Sequence, residues 1–115
     1  MSLKVFYLDD EPGLCEIFFD LFSSEKIQIT TFSEPETAIK AIKENPPDLL
    51  FIDYRLPNTT GDEVALKLNN QIPKFLITGD IFIKTKYNFE KIFSKPYDDT
   101  EIQGILDRHL SFKNN

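Results

Sequence analysis

The run Leu49-Leu50-Phe51-Ile52 has no polar side chain to offer solvent on either face. A strand exposed on one side alternates apolar and polar residues. One that is apolar throughout must be covered on both sides, as at the centre of a parallel sheet. The rest of the chain supplies both the neighbours and the covers. Leu3 to Leu8 reads as a second buried strand, and Ile27-Gln28-Ile29-Thr30 alternates as a half-exposed edge strand does. Lys74 to Ile77 and Lys91 to Ser94 read as two further strands.

Helical patterns fall between these runs. Pro12 opens one in which Leu14, Ile17, Phe18, Leu21 and Phe22 recur at helical spacing. Ala38, Ile39 and Ile42 mark a second, Val64, Ala65 and Leu68 a third, and Ile102, Ile105, Leu106 and Leu110 a last one that Gly104 weakens slightly. Ser33 with Glu36, and Thr60 with Glu63, have the spacing of capping boxes, with Pro35 tolerated in a first turn. Pro46-Pro47 and Pro73 act as stops.

Strands alternating with helices imply an α/β fold: a doubly wound, five-stranded parallel sheet with right-handed crossovers. The alternating run belongs at an edge, which favours strand order 2-1-3-4-5. Such a sheet opens a crevice between its first and third strands, beyond their carboxyl ends. The 115 residues suffice for a single domain over 1–115, burying a core without disulfides or structural metal.

Chemistry gathers at that crevice. Asp9 and Asp10 follow the first run, Asp53 the third, Thr78 the fourth and Lys95 the fifth. Three carboxylates at one sheet edge repel one another unless a cation intervenes. Mg²⁺ suits them, being a hard ion that takes oxygen ligands, keeps several waters and is often shared with a phosphate. Asp10 and Asp53 are the expected direct ligands, Asp9 acts directly or through water, and the main-chain carbonyl of Arg55 offers a neutral ligand. Lys95 can pair with Asp53 at rest and with a phosphoryl oxygen after transfer, and Pro96 fixes the backbone behind it, where a tight turn would suit a cis bond. A blander alternative for Asp9-Asp10-Glu11 is capping of the first helix. Capping leaves Asp53 unexplained.

Composition narrows the classes further. Nineteen acidic residues against thirteen basic ones give a net charge of −6, with no basic stripe, so direct binding of nucleic acid or anionic lipid is not expected. Cys15 is the only cysteine and falls in a helical apolar pattern, which excludes an internal disulfide and a thiolate-rich metal site. No signal-peptide pattern or membrane-spanning run is seen, so the expected location is the cytoplasm.

The motifs Asp9-Asp10-Glu11-Pro12, Ile52-Asp53-Tyr54-Arg55-Leu56-Pro57 with Gly61, Ile77-Thr78-Gly79 and Lys95-Pro96-Tyr97 resemble, in order and spacing, the receiver domain of two-component response regulators. The resemblance covers essentially the whole chain and implies a flavodoxin-like sheet. It implies that Asp53 accepts a phosphoryl group from the phosphohistidine of a histidine kinase or phosphotransfer protein, with Asp9 and Asp10 helping to hold Mg²⁺. Thr78 and Lys95 would bind the phosphoryl oxygens. A stand-alone switch would then signal through a downstream protein partner and catalyse only its own phosphorylation and dephosphorylation.

Two departures bear on output. The family usually has an aromatic residue three positions before the lysine, where this chain has Ile92, while Phe93 is expected in the core. The interval from Thr78 to Lys95 is short by more than a turn of helix, and the stretch from Asp80 to Phe89 lacks a 3.6-residue period. The fourth helix is therefore expected to be truncated, distorted or absent. Arg55 and Asp80 should overhang the site mouth, where pairing between them would slow hydrolysis of phospho-Asp53. His109 is expected on the last helix, facing solvent or the helix C-terminus.

Two other classes compete. A binding module could keep the acidic pocket and act without phosphorylation. A Mg²⁺-dependent aspartate-nucleophile phosphohydrolase would usually need a second carboxylate near the nucleophile and a cap. Here Arg55 stands two residues past Asp53, and the chain has no room for a cap.

Overall fold

The computed structural model describes residues 1–115. In chain order the elements are β1 (Leu3–Leu8), α1 (Pro12–Phe22), β2 (Ile27–Phe32), α2 (Pro35–Glu44) and β3 (Leu49–Asp53). Next come β4 (Arg55–Leu56), β5 (Thr59–Thr60), α3 (Gly61–Leu66), β6 (Lys74–Thr78), β7 (Lys91–Ser94) and α4 (Asp99–Lys113). The main sheet is parallel with spatial order β2-β1-β3-β6-β7. Its five strands, counted along the chain, therefore lie in the expected order 2-1-3-4-5. The short strands β4 and β5 pair antiparallel in a separate ribbon between β3 and α3, where the sequence suggested only a loop.

Period-two alternation divides the sheet's side chains between two apolar layers. Leu3, Val5 and Tyr7 of β1 join Leu49 and Phe51 of β3 in one layer, covered by Phe18 and Phe22 of α1 and by Ile102 and Leu106 of α4. Phe6 and Leu8 join Leu50 and Ile52 in the other, covered by Ala38 and Ile42 of α2 and by Val64 and Ala65 of α3. Every residue of β3 is buried, as its unbroken apolar run requires, while β2 alternates buried and exposed as an edge strand.

Two local expectations need correction. The helical stripe on α1 is wider than the face that meets the sheet. Cys15, Phe18 and Phe22 are buried, while Ile17 and Leu21 turn outward at 49% and 43% exposure. Ser33 does not cap α2, because Pro35 occupies the first helical position and makes Glu34 the cap residue, with no side-chain bond. Thr60 does cap α3, its hydroxyl accepting from the Glu63 amide at 3.2 Å.

No helix lies between β6 and β7. Residues 79–90 connect the two strands as bends and irregular chain, with Phe89 buried and Ile83 and Tyr87 packed against the second layer. Buried polar groups fasten the connection. The Asp62 carboxylate accepts from the amides of Lys86 and Tyr87 at 2.9 and 2.8 Å. Lys74, itself buried, donates to the Tyr87 hydroxyl and to the carbonyls of Asn69 and Ile72. Side-chain and main-chain bonds thus replace the ladder a helix would have supplied.

Candidate functional site

The sheet register brings the polar residues to one edge. Leu8 lies opposite Ile52, Asp53 opposite Ile77, and Thr78 opposite Ser94, so Asp9, Asp53, Thr78 and Lys95 emerge side by side. The Lys95 amide donates to the Thr78 carbonyl at 2.8 Å, tying the last two together. The Lys95–Pro96 bond is cis.

Gly61 allows α3 to start hard against the strand that carries Asp53. Its amide donates to the Tyr54 carbonyl at 2.8 Å. A Cβ there would meet the Asp53 carbonyl oxygen at 2.5 Å.

Asp10, Asp53, Thr78 and Lys95 line a cavity of about 300 Å³ with no hydrophobic residue in its wall. Asp9 and Asp53 are buried and Asp10 is exposed. One carboxylate oxygen from each lies within 4.8 Å of the others. Hard oxygen donors at this spacing suit a divalent cation of the Mg²⁺ class. No side chain caps α1, whose cap residue is Glu11, so the Asp10 carboxylate is not committed there. Asp9 is the most engaged of the three, its Oδ1 accepting from the Glu11 amide at 3.0 Å and its Oδ2 from the Tyr7 hydroxyl at 2.6 Å. Arg55 lines the same cavity.

Lys95 Nζ sits 2.7 Å from Asp53 Oδ1 and 3.7 Å from Asp9 Oδ2. Burial pushes the Asp53 carboxyl above its ordinary value; the Lys95 hydrogen bond opposes this and the Asp9 charge adds to it. Burial also works to lower the Lys95 ammonium, but the hydrogen bond to Asp53 and the charges of Asp9 and Asp53 outweigh it and hold Lys95 above its usual range. Both shifts reflect surplus negative charge in a partly dry pocket, the condition a cation relieves. Thr78 is buried, and its hydroxyl oxygen accepts from the Asp80 amide at 3.0 Å, leaving its proton free to donate elsewhere.

Arg55 Nε lies 3.3 Å from Asp80 Oδ1 and 3.1 Å from Oδ2, and both residues line the cavity. Phe93 is buried as expected, whereas Ile92 is 42% exposed on the edge strand. His109 is partly buried, edge-on to Phe75 and Phe112 rather than free in solvent. Burial, then the neighbouring Arg108 charge, holds its imidazole below the usual value.

Sequence reasoning missed Tyr7. Burial, then the hydrogen bond to Asp9, pushes its phenol far above the ordinary range. Within an apolar strand it reads as core. Its spacing of two from Asp9, which puts both on one side of the strand, was the available signal.

A family model described as the response regulator receiver domain matches residues 5–107. The chain is 24% identical over 123 residues to sporulation initiation phosphotransferase F of Bacillus subtilis, covering 100% of this chain and 99% of that protein. It is 23% identical over 117 residues to the DNA-binding response regulator MtrA of Mycolicibacterium smegmatis, covering 96% of this chain and 51% of the relative. The chain thus spans about half the length of some relatives and nearly all of others. Among solved structures, the signal receiver domain of an HD domain-containing protein from Pseudomonas fluorescens superposes with a TM-score of 0.87 at 19% identity, covering 99% of this chain and 98% of that one. A receiver domain protein from Methanospirillum hungatei gives 0.85 at 16% identity, with coverage of 99% and 98%.

Proposed function

The chain belongs to the response regulator receiver domain family, and on that premise we propose that it is a phosphoacceptor signalling switch charged on Asp53. The donor is the phosphohistidine of a histidine kinase or phosphotransfer protein. The observation that carries the reading is the contact of Lys95 Nζ with Asp53 Oδ1 at 2.7 Å, in a cavity without hydrophobic residues and beside the carboxylates of Asp9 and Asp10. An ammonium so placed holds the acceptor at rest and can follow a phosphoryl oxygen after transfer.

In the reaction an Asp53 carboxylate oxygen attacks phosphorus in line, forming a P–O bond as the P–N bond to the donor histidine breaks. Lys95 exchanges its Asp53 contact for a phosphoryl oxygen, and the Thr78 hydroxyl donates to another. Asp10, Asp53 and the Arg55 main-chain carbonyl, with Asp9 directly or through water, would hold a Mg²⁺ ion, which when bound would supply positive charge against the phosphoryl oxygens. Water later cleaves the acyl phosphate, returning Asp53 and releasing inorganic phosphate. The single domain over 1–115 turns over no external substrate and works in the cytoplasm, where its output is contact with a downstream protein and not with nucleic acid. No helix is long and apolar enough to cross a membrane.

A second reading, a binding module that acts without phosphorylation, is favoured by two features. Ile92 stands exposed at the position of the family's aromatic switch, and Ile81 and Phe82 lie almost fully exposed beside the site. Titration with beryllofluoride and Mg²⁺, followed by amide chemical shifts, separates the two. The switch predicts saturable shifts at Asp53, Thr78 and Lys95 that need both components. No shift under any condition supports the binding module.

A further inference from the structure

Tyr7 lies inside the sheet yet has a polar task. Its ring stacks on Phe18 with centroids 4.2 Å apart and planes 6° from parallel, and only 1% of the residue is exposed. The hydroxyl is therefore aimed by packing, at Asp9 Oδ2. That oxygen has a second suitor. Lys95 Nζ lies 3.7 Å from it and 2.7 Å from Asp53 Oδ1, so the ammonium has two anionic oxygens in reach and bonds closely to one.

We propose that Tyr7 is a positioning residue of the acceptor site: its hydroxyl satisfies Asp9 Oδ2, keeps Lys95 on Asp53, and so sets the affinity of the carboxylate cluster for its cation. The inference rests on the Mg²⁺ reading above.

The reasoning turns on what else can satisfy Asp9. It is fully buried, and its Oδ1 is already held by the Glu11 amide. Without the phenol, Oδ2 becomes a buried anionic acceptor with no close donor, a costly state. The nearest remedy is Lys95, whose Nζ needs to move only about 1 Å to reach bonding distance. That move shifts the positive charge from Asp53 toward Asp9, where it competes with a divalent cation for the Asp9 carboxylate, and loosens the hold on Asp53. A phenol is a neutral donor. It answers Asp9 without adding charge to the cation's position, which an ammonium cannot do. Groups that orient a metal ligand typically change metal affinity by about 10–100-fold when removed.

The test is calorimetric titration of Mg²⁺ into the full chain as wild type, Tyr7→Phe, Lys95→Ala and the double variant, each also melted in metal-free buffer. Tyr7→Phe keeps the ring that stacks on Phe18. It should weaken Mg²⁺ binding by about 10-fold, and that loss should vanish when Lys95→Ala is already present, because the competitor is gone. A purely structural role would lower the melting temperature and leave Mg²⁺ affinity alone. Unchanged affinity in Tyr7→Phe, or an equal loss with and without Lys95, overturns the inference. A wild type that binds no Mg²⁺ removes the metal reading itself and this inference with it. In the wild type alone, the Tyr7 hydroxyl proton should be slow to exchange and should shift on Mg²⁺ addition, and a fast-exchanging proton also counts against the proposal.

Discussion

Replacing Gly61 with alanine should destabilise the protein, although the same change in most helices does the reverse. Gly61 begins α3 with an ordinary negative φ, so backbone strain plays no part. Alanine is favoured by about 0.5–1 kcal/mol in a helix interior, an upper bound at the first helical position that Gly61 occupies. Here, however, the new Cβ would lie 2.5 Å from the Asp53 carbonyl oxygen, 2.8 Å from Ile52 Cγ2 and 2.9 Å from Leu76 Cδ1. Carbon–carbon contacts are comfortable at about 3.5–4.0 Å, so each carbon contact is short by roughly 0.6 Å or more. Ile52 and Leu76 have no exposure, and the oxygen belongs to the backbone of Asp53. Overpacking costs about 1–3 kcal/mol. Three clashes together place this case at the upper end, for a net loss of about 2 kcal/mol after the helix preference is credited. Urea denaturation should show a midpoint lowered by about 1–2 M with the slope unchanged. Gly104→Ala is the control, because a Cβ there meets nothing within 4 Å, and it should stabilise by about 0.5–1 kcal/mol. A Gly61→Ala midpoint equal to or above wild type would refute the steric account of how α3 is seated against Asp53.

Other outcomes follow from single contacts. If the Arg55–Asp80 pair in the cavity wall hinders the attacking water, Arg55→Ala should shorten the lifetime of phospho-Asp53, measured by decay of the phosphorylated mass. Asp62→Ala should cost about 2 kcal/mol by leaving two amides unpartnered, and should speed hydrogen exchange at Lys86 and Tyr87 ahead of the rest of the chain. His109 titrates below 6.5 in the folded chain, so below that pH the unfolded chain binds the extra proton first. Its contribution is therefore complete above about pH 6.5 and lost as pH falls toward its folded value, and His109→Gln should flatten urea midpoints compared across that window.

The sheet was legible because burial on two faces leaves a compositional trace. Leu49 to Ile52 had to be central, and the alternation from Ile27 had to lie at an edge. Once the strands are parallel, register follows, and with it the convergence of Asp9, Asp53, Thr78 and Lys95. The missing helix was legible as a missing period between Asp80 and Phe89. What stayed hidden depends on partners distant along the chain. Nothing near Lys74 announces that Tyr87 and two carbonyls will surround its ammonium. Nothing near Asp62 announces the amides of Lys86 and Tyr87. Ser33 matched the capping pattern, yet Pro35 moved the helix start past it. Ile17 and Leu21 shared the apolar stripe of α1, but the sheet covers only the part centred on Cys15, Phe18 and Phe22. Tyr7 looked like core because a phenol's ring satisfies the apolar pattern while its hydroxyl serves a carboxylate.

The central claim is that Asp53 accepts a phosphoryl group, and intact-mass analysis tests it most directly. The full chain is incubated with a small acyl-phosphate donor, with and without Mg²⁺, alongside Asp53→Asn. The account predicts a gain of one phosphoryl group that needs Mg²⁺, disappears with time after the donor is removed, and is absent in Asp53→Asn. No mass gain in the wild type, or an equal gain in Asp53→Asn, would contradict it.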